Sequence, residues 1–147
     1  MTRRARCPQT LRYGGSGGGR ETMMTQHTEY VIHTDIAFEP LQTVDVGALE
    51  RACEHPWFNQ SLCLVNDSVI RLGVFHGEFH WHQHEQEDEF FYVVSGRLFI
   101  DLRDRTVELG PAQGMVVPKQ VEHRPRAPER AVVLLVEPAT VTPTGDG

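Results

Sequence analysis

Residues 80–96 read HWHQHEQEDEFFYVVSG, in which alternating histidines precede an acidic segment and an apolar run that ends at a glycine. In a strand, side chains two residues apart lie on the same side, so the imidazoles of His82 and His84 would stand about 6–7 Å apart along the backbone. Residues 85–88 can reverse the chain and bring Glu89, at the start of the apolar run, beside His84. Two imidazoles and a carboxylate in this arrangement can bind one metal ion.

A further candidate ligand lies in the later segment VVPKQVEH, where His123 follows a short apolar run that ends at Pro118. Three imidazole nitrogens and one carboxylate suit divalent Fe, Mn, Ni, Co, Cu or Zn better than Ca or Mg. A six-coordinate metal would keep two positions open for water or substrate, as Lewis-acid or oxygen chemistry requires. The alternative is a solvated hairpin rim, since a chain with eight histidines also produces H-x-H by chance.

Composition narrows the classes of protein that this chain can belong to. Its 147 residues are enough for one domain with a hydrophobic core, and no apolar run approaches the length of a membrane span. The net charge of −6 argues against nucleic-acid binding, which usually needs a basic face. Cys7, Cys53 and Cys63 are odd in number and lack C-x-x-C spacing, which predicts free, structural thiols in a reducing cytoplasm.

The first 22 residues differ from the rest in composition. They contain five arginines, one acid and a glycine-rich stretch, with no periodic apolar pattern, and they are predicted to be a disordered arm. Arg3-Arg4 is not read as an export signal because no apolar stretch follows it. A basic arm that binds an acidic partner is an alternative, but we predict that the natural chain begins at Met23 or Met24. Without the arm, the charge falls to −10.

The remaining chain predicts an all-β, single-domain antiparallel sandwich or barrel with one short N-terminal helix. Asp45 would cap this helix, which covers Val46–Glu54 and ends before His55-Pro56. Pro125 and Pro128 are read as turn residues. The predicted strands are Tyr30–His33, Ser61–Val65, Ser68–Phe75, Phe79–His84, Glu89–Val94, Arg97–Leu102, Arg105–Leu109, Met115–Val117 and Val132–Glu137. The predicted segments are residues 23–66, which pack on the barrel, 67–138, the barrel core, and 139–147, a strap or frayed tail.

The histidine-bearing segments resemble the two motifs of the cupin superfamily. The first family motif is G-x5-H-x-H-x(3,4)-E-x6-G, and His82, His84, Glu89 and Gly96 match its core, with Gly77 one residue nearer than the pattern asks. The second is G-x5-P-x-G-x2-H-x3-N. Here Pro118 and His123 match, while the other three positions hold Ala112, Gln120 and Ala127.

The resemblance covers about residues 68–138 and implies a jelly-roll β-barrel of six to eight strands. It implies a metal inside the mouth of the barrel, with His82, His84, Glu89 and His123 as ligands. Single-domain cupins of this kind are often homodimers that act on or bind small molecules. Because isomerases, dioxygenases, decarboxylases, lyases and sensors share this fold, the resemblance does not select one activity.

Three hypotheses about function follow from these observations. The first is a metal-dependent cupin that acts on a small molecule, with the metal as Lewis acid or oxygen-binding centre and His80 as a candidate acid–base group. The second is a non-catalytic metal-binding or sensor cupin, and the third is a metal-free structural barrel.

Other polar residues near the motifs also have alternatives. His80 could instead lie at the solvent-exposed rim. Arg71 could bind an anionic substrate or lie at the surface or a dimer interface. The remaining acids near the motifs are predicted to be solvated, namely Glu85, Glu87, Asp88 and Glu122.

Overall fold

Strands make up most of the described chain, which confirms the all-β prediction with one short helix. The computed structural model describes residues 29–146; the predicted arm and the predicted start at Met23 or Met24 lie outside the described residues. Helix α1 covers Val46–Ala52. The strands are β1 Tyr30–His33, β2 Trp57–Val65, β3 Ser68–Glu78, β4 Glu89–Ser95, β5 Leu98–Leu102, β6 Thr106–Leu109, β7 Gly114–Val117 and β8 His123–Pro138.

The strands of residues 29–146 form one sheet with the order β1-β2-β3-β8-β4-β7, and β5 pairs with β8 and β6. Strand β8 organises this sheet because it pairs with β3 on one side and with both β5 and β4 on the other. The sheet is open rather than closed by hydrogen bonds into a continuous barrel. Strands β1 and β2 are parallel, which departs from the antiparallel prediction for this pair.

The prediction of turns at Pro125 and Pro128 is wrong, because β8 runs through both prolines. Proline has no N–H to donate, but Pro125 contributes to the pairing through its carbonyl, which accepts a hydrogen bond from the Phe79 N–H at 3.0 Å. Pro128 lies where the pairing with β3 jumps from Ala127 to Ala131, and proline is tolerated at such irregularities. The result is a 16-residue strand that begins at His123 and reaches both halves of the sheet.

The strand predicted over residues 79–84 is also wrong. This segment forms a single isolated bridge, in which the backbones of His82 and His123 exchange hydrogen bonds of 3.0 and 2.9 Å. Beyond the bridge, the His84 carbonyl accepts from the Gln120 N–H rather than from a neighbouring strand. The segment therefore runs antiparallel beside the start of β8 and is fixed at separate points instead of by a continuous ladder.

Two apolar clusters support this frame. One lies between the layers of strands, where the Trp57 ring stacks on Phe75 at 4.1 Å and on Phe79 at 5.3 Å. The other includes Cys53 and Leu62 and lies under α1. The Asp45 side chain caps α1 as predicted, by accepting from the Ala48 N–H at 3.0 Å, and the helix ends at Ala52. Within residues 29–146, no helix has the length and apolar character to cross a membrane.

Candidate metal centre

The structure brings together all four of the residues predicted to bind a metal. His82 and His84 come from the segment 79–84, which lies beside β8. Glu89 is the first residue of β4, and His123 is the first residue of β8. One side-chain nitrogen or oxygen from each lies within 4.8 Å of all the others. All four residues are at least nine-tenths buried. We call this group the metal centre.

Hydrogen bonds to the backbone orient two of the three imidazoles. The Nδ1 of His82 lies 3.0 Å from the His80 carbonyl, and the Nδ1 of His123 lies 2.9 Å from the Val121 carbonyl. A carbonyl only accepts, so each Nδ1 carries a hydrogen, and the neutral imidazole of His82 keeps its lone pair on Nε2. This outer hydrogen bond is the usual partner of a histidine that binds a metal.

Glu89 links the imidazoles. Its Oε2 lies 3.1 Å from the His123 Nε2 and 3.4 Å from the His84 Nε2. Burial raises the pKa of the Glu89 carboxyl, but the interactions with His123 and His84 outweigh burial and lower this pKa overall. Burial, followed by the neighbouring His123, lowers the pKa of His82 to about 4. Near neutral pH, the centre therefore offers a carboxylate and at least one neutral imidazole.

The residues of the metal centre fit a divalent transition metal. Both ring nitrogens of His84 are buried without a hydrogen-bond partner, although buried polar atoms in proteins are nearly always paired. Three imidazoles and one carboxylate form a donor set that Fe, Mn, Ni, Co, Cu and Zn accept. A cation held by this donor set would therefore give the His84 imidazole the partner that the described residues do not supply.

Arg71 lies in the interior, which rules out the surface position that was one of its alternatives. It is 2% exposed, donates from Nε and from a terminal nitrogen to Asn59 Oδ1, and lies 3.6 Å from Glu137 Oε1. Burial and the nearby Glu89 raise the pKa of Glu137, while Arg71 acts in the opposite direction. Sequence reasoning did not select Glu137 as a site residue, although the alternation of the apolar run VVLLVE places it inward with Val133 and Leu135.

His80 lies at the exposed rim, and its Nε2 is 2.6 Å from the Thr144 carbonyl of the C-terminal segment. The prediction that Glu87 is solvated is wrong, because Glu87 is 8% exposed and its Oε1 accepts from the Thr140 hydroxyl at 3.0 Å. The same C-terminal segment therefore covers a loop acid that the local sequence presents as polar. Glu85 and Asp88 are exposed as predicted.

An apolar cleft of about 400 Å³ adjoins the metal centre. Its lining includes Leu102, which pairs with His123, and Val117, which pairs with Glu89. Directly paired residues of antiparallel strands point to the same face, so these apolar side chains share a face with two residues of the metal centre. Charged side chains complete the lining, including Arg103 and Glu122, which form an exposed ion pair of 2.5 Å.

Comparisons with known proteins relate this arrangement to one family. A family model described as the Cupin domain matches residues 71–137. The uncharacterized protein YdbB of Bacillus subtilis is 44% identical over 80 residues, which cover 54% of this chain and 71% of that protein. Polyketide synthase CurC of Streptomyces cyaneus is 44% identical over 43 residues, which cover 29% of this chain and 28% of that protein.

Solved structures show the same likeness. The crystal structure of a cupin-2 domain containing protein from Shewanella frigidimarina superposes with a TM-score of 0.62 at 32% identity. The match covers 65% of this chain and 94% of that one. This likeness confirms the jelly-roll β fold predicted from the paired motifs.

Proposed function

The chain belongs to the cupin superfamily, and from that premise we propose that it is a metal-dependent protein that acts on a small molecule. His82, His84, Glu89 and His123 hold one divalent transition-metal ion in this proposal. When bound, the ion supplies Lewis-acid or oxygen chemistry of the kind used by isomerases and dioxygenases. The observation that carries the proposal is the convergence of these four buried groups with the His84 nitrogens left unpartnered.

The surrounding residues support the proposal by what they can do for a bound molecule. The carbonyls of His80 and Val121 hold two imidazoles by their Nδ1 atoms, so that the Nε2 of each is directed to the centre and the Nε2 of His123 lies against Glu89. Arg71 lies in the same interior, and its charge favours the ionised form of Glu89. The apolar part of the lining of the nearby cleft, which includes Leu102 and Val117, favours a small molecule with an apolar portion.

A second candidate is a non-catalytic cupin that binds a metal and a ligand without turnover. It is favoured by the position of His80, whose Nε2 is engaged by the Thr144 carbonyl at the rim instead of facing the centre. A turnover screen separates the two. If His80→Ala slows a reaction while the metal content stays constant, the protein is an enzyme that uses His80. A molecule that binds tightly and is recovered unchanged indicates the binding protein.

Metal content of the purified protein tests the proposal against a metal-free structural barrel. We expect at least about one metal ion per chain in the wild-type protein, and about one ion fewer in His82→Ala and Glu89→Ala. Glu85→Ala, which removes an exposed acid from the same loop, is the matched control and should keep the wild-type content. A wild-type content below ~0.2 that neither substitution changes would overturn the proposal. The homodimer and the cytoplasmic location stay predictions.

A further inference from the structure

A second group of metal-binding side chains lies against the metal centre. His84, Glu87 and Asp146 each place one ligand atom within 4.8 Å of the other two. His84 belongs to both groups, whereas Glu87 comes from the loop before β4 and Asp146 comes from the C-terminal segment. Neither of these acids belongs to the two sequence motifs that define the first centre.

Burial makes this group different from an ordinary cluster of surface acids. Glu87 is 8% exposed; its Oε1 accepts from Thr140, and its Oε2 is buried with no partner. Within residues 29–146, no lysine or arginine forms an ion pair with Glu87 or Asp146. Asp146 is partly buried, and the imidazole of His84 is the group in this cluster that can carry a positive charge beside the two acids. The Glu87 Oε2 nevertheless has no partner, whereas buried carboxylates are normally paired with a cation or bound to a metal.

The imidazole of His84 points to the same conclusion. His82 and His123 each direct Nδ1 to a backbone carbonyl, but the Nδ1 and Nε2 of His84 both lack a hydrogen-bond partner. Its Nε2 lies 3.4 Å from Glu89 in the first centre. An imidazole has two ring nitrogens, so with Nε2 beside Glu89 the unpartnered Nδ1 of His84 is the nitrogen that remains for the second group.

The C-terminal segment is built to hold Asp146 in this place. The Asp146 N–H donates to the Gln83 carbonyl at 3.0 Å, and its Oδ2 accepts from the Glu85 N–H at 2.8 Å. The preceding Gly145 has a φ of 91°, and a methyl group there would come within 2.6 Å of the His82 Cβ. Glycine therefore allows both the turn and the close approach that bring Asp146 to the loop.

We propose that His84, Glu87 and Asp146 form a second cation site, which shares His84 with the metal centre. One imidazole and two carboxylates suit a divalent ion such as Mn²⁺, which accepts oxygen ligands readily. The C-terminal segment contributes Asp146 and, through Thr140, positions Glu87. The proposal depends on the fold around His84, but its ligands Glu87 and Asp146 are separate from those of the proposed function.

Titration of the full-length, metal-depleted protein with Mn²⁺ tests this site. The loss of the free-ion signal in electron paramagnetic resonance gives the number of ions bound per chain. We expect about two Mn²⁺ per chain in the wild-type protein and about one in Asp146→Asn. Asp88→Asn, which removes the same charge from an exposed position of the same loop, should retain about two. His82→Ala should lose the ion of the first centre and keep the second. Thermal unfolding confirms that each variant is folded.

The outcomes separate this proposal from the proposed function. If the wild-type protein binds about one ion and Asp146→Asn only weakens it, Asp146 positions His84 for the first centre and the second site is overturned. The second site is also overturned if Asp146→Asn still binds about two ions. If the wild-type protein binds about one ion, and this ion is kept in His82→Ala but lost in Asp146→Asn, the result contradicts the proposed function and supports the second site. Absence of both ions overturns both proposals.

Discussion

Two groups of charged residues include residues of β8, namely the metal centre and a group that we call the Asp101 network. They differ in whether contacts within the chain satisfy their buried polar atoms. The Asp101 network consists of Asp101, Thr106, Arg124 and Arg126. Asp101 Oδ2 accepts hydrogen bonds from Arg124 at 2.8 and 3.0 Å and from Arg126 at 2.8 Å, and Oδ1 accepts from Thr106 at 2.7 Å. Every charge in this network has an opposite charge in contact.

The metal centre includes His123, which lies on the same strand three residues before Arg126. Unlike the Asp101 network, it leaves some of its buried polar atoms without a partner. Within residues 29–146, the side chains in ion-pair contact with the Glu89 carboxylate are the imidazoles of His84 and His123, and neither ring nitrogen of His84 has a hydrogen-bond partner. A buried polar group without a partner costs about 1–3 kcal/mol. The Asp101 network is satisfied within the chain and serves the fold, whereas the metal centre contains buried nitrogens that the described residues leave without a partner.

Metal binding should separate the two groups by the largest effect. Mn²⁺ at about 1,000 times its dissociation constant should raise the free energy of unfolding by about 4 kcal/mol, because it binds only the folded centre. Urea unfolding with Mn²⁺ or with a chelator measures this increment. Glu89→Ala should lose this increment of the metal centre, with only the contribution of the second cation site remaining, and Asp101→Asn should keep both. An equal increment in the wild-type protein and in Glu89→Ala would contradict the assignment of the centre.

The metal centre could be predicted from the sequence because its spacing encodes most of its geometry. His82, His84 and Glu89 lie within eight residues, and a chain reversal between them is enough to bring them together. His123 lies 34 residues after Glu89, where a short apolar run ending at Pro118 and the second motif predicted it, and the structure shows the physical link, which is the backbone bridge between His82 and His123. The strand assigned to this segment was wrong, although the shared direction of the side chains needs only one pairing point.

The contribution of the C-terminal segment could not be predicted in the same way. Thr140 lies 53 residues from Glu87, and Asp146 lies 61 residues from Glu85, with no periodic pattern in between that fixes their approach. The burial of Glu87 follows from this long-range contact, so the local sequence presented it as a solvated acid. Glu137 is different, because strand alternation alone places it inward.

Removal of the Asp101 charge should give the next largest effect. Asp101→Asn leaves two arginines without their buried anion and should reduce the free energy of unfolding by about 2 kcal/mol, a value lowered by the partial exposure of both arginines. Urea unfolding in the presence of a chelator measures this loss. Asp104→Asn, at a side chain 74% exposed, is the control and should change stability by less than about 0.5 kcal/mol. Equal losses in the two variants would show that the network is a surface feature.

The pH dependence of that loss sharpens the comparison further. Burial opposes ionisation of Asp101, but Arg126, Thr106 and Arg124 outweigh it and lower its pKa from 3.8 to about 2. A depressed folded-state pKa gives stability that is present in full above the unfolded-state value and is lost as the pH falls through the folded-state value. The stability difference between the wild-type protein and Asp101→Asn should therefore be constant from pH 7 to about 5 and shrink below about 4. A difference that grows on acidification would contradict the ion pairing.

The smallest effect is expected at Glu122, although it is the sequence neighbour of His123. Its side chain is 42% exposed and pairs with Arg103, which in turn lies over the Trp81 ring at 3.8 Å, so it contacts solvent instead of the metal centre. Glu122→Gln should leave both the unfolding midpoint and the metal content unchanged within the precision of urea unfolding and elemental analysis. Glu89→Gln, the same chemical change at a buried position, should lower the metal content. If Glu122→Gln and Glu89→Gln lose metal equally, burial and contact with the imidazoles do not decide which acid binds the metal. The distinction between the metal centre and its surroundings would then fail.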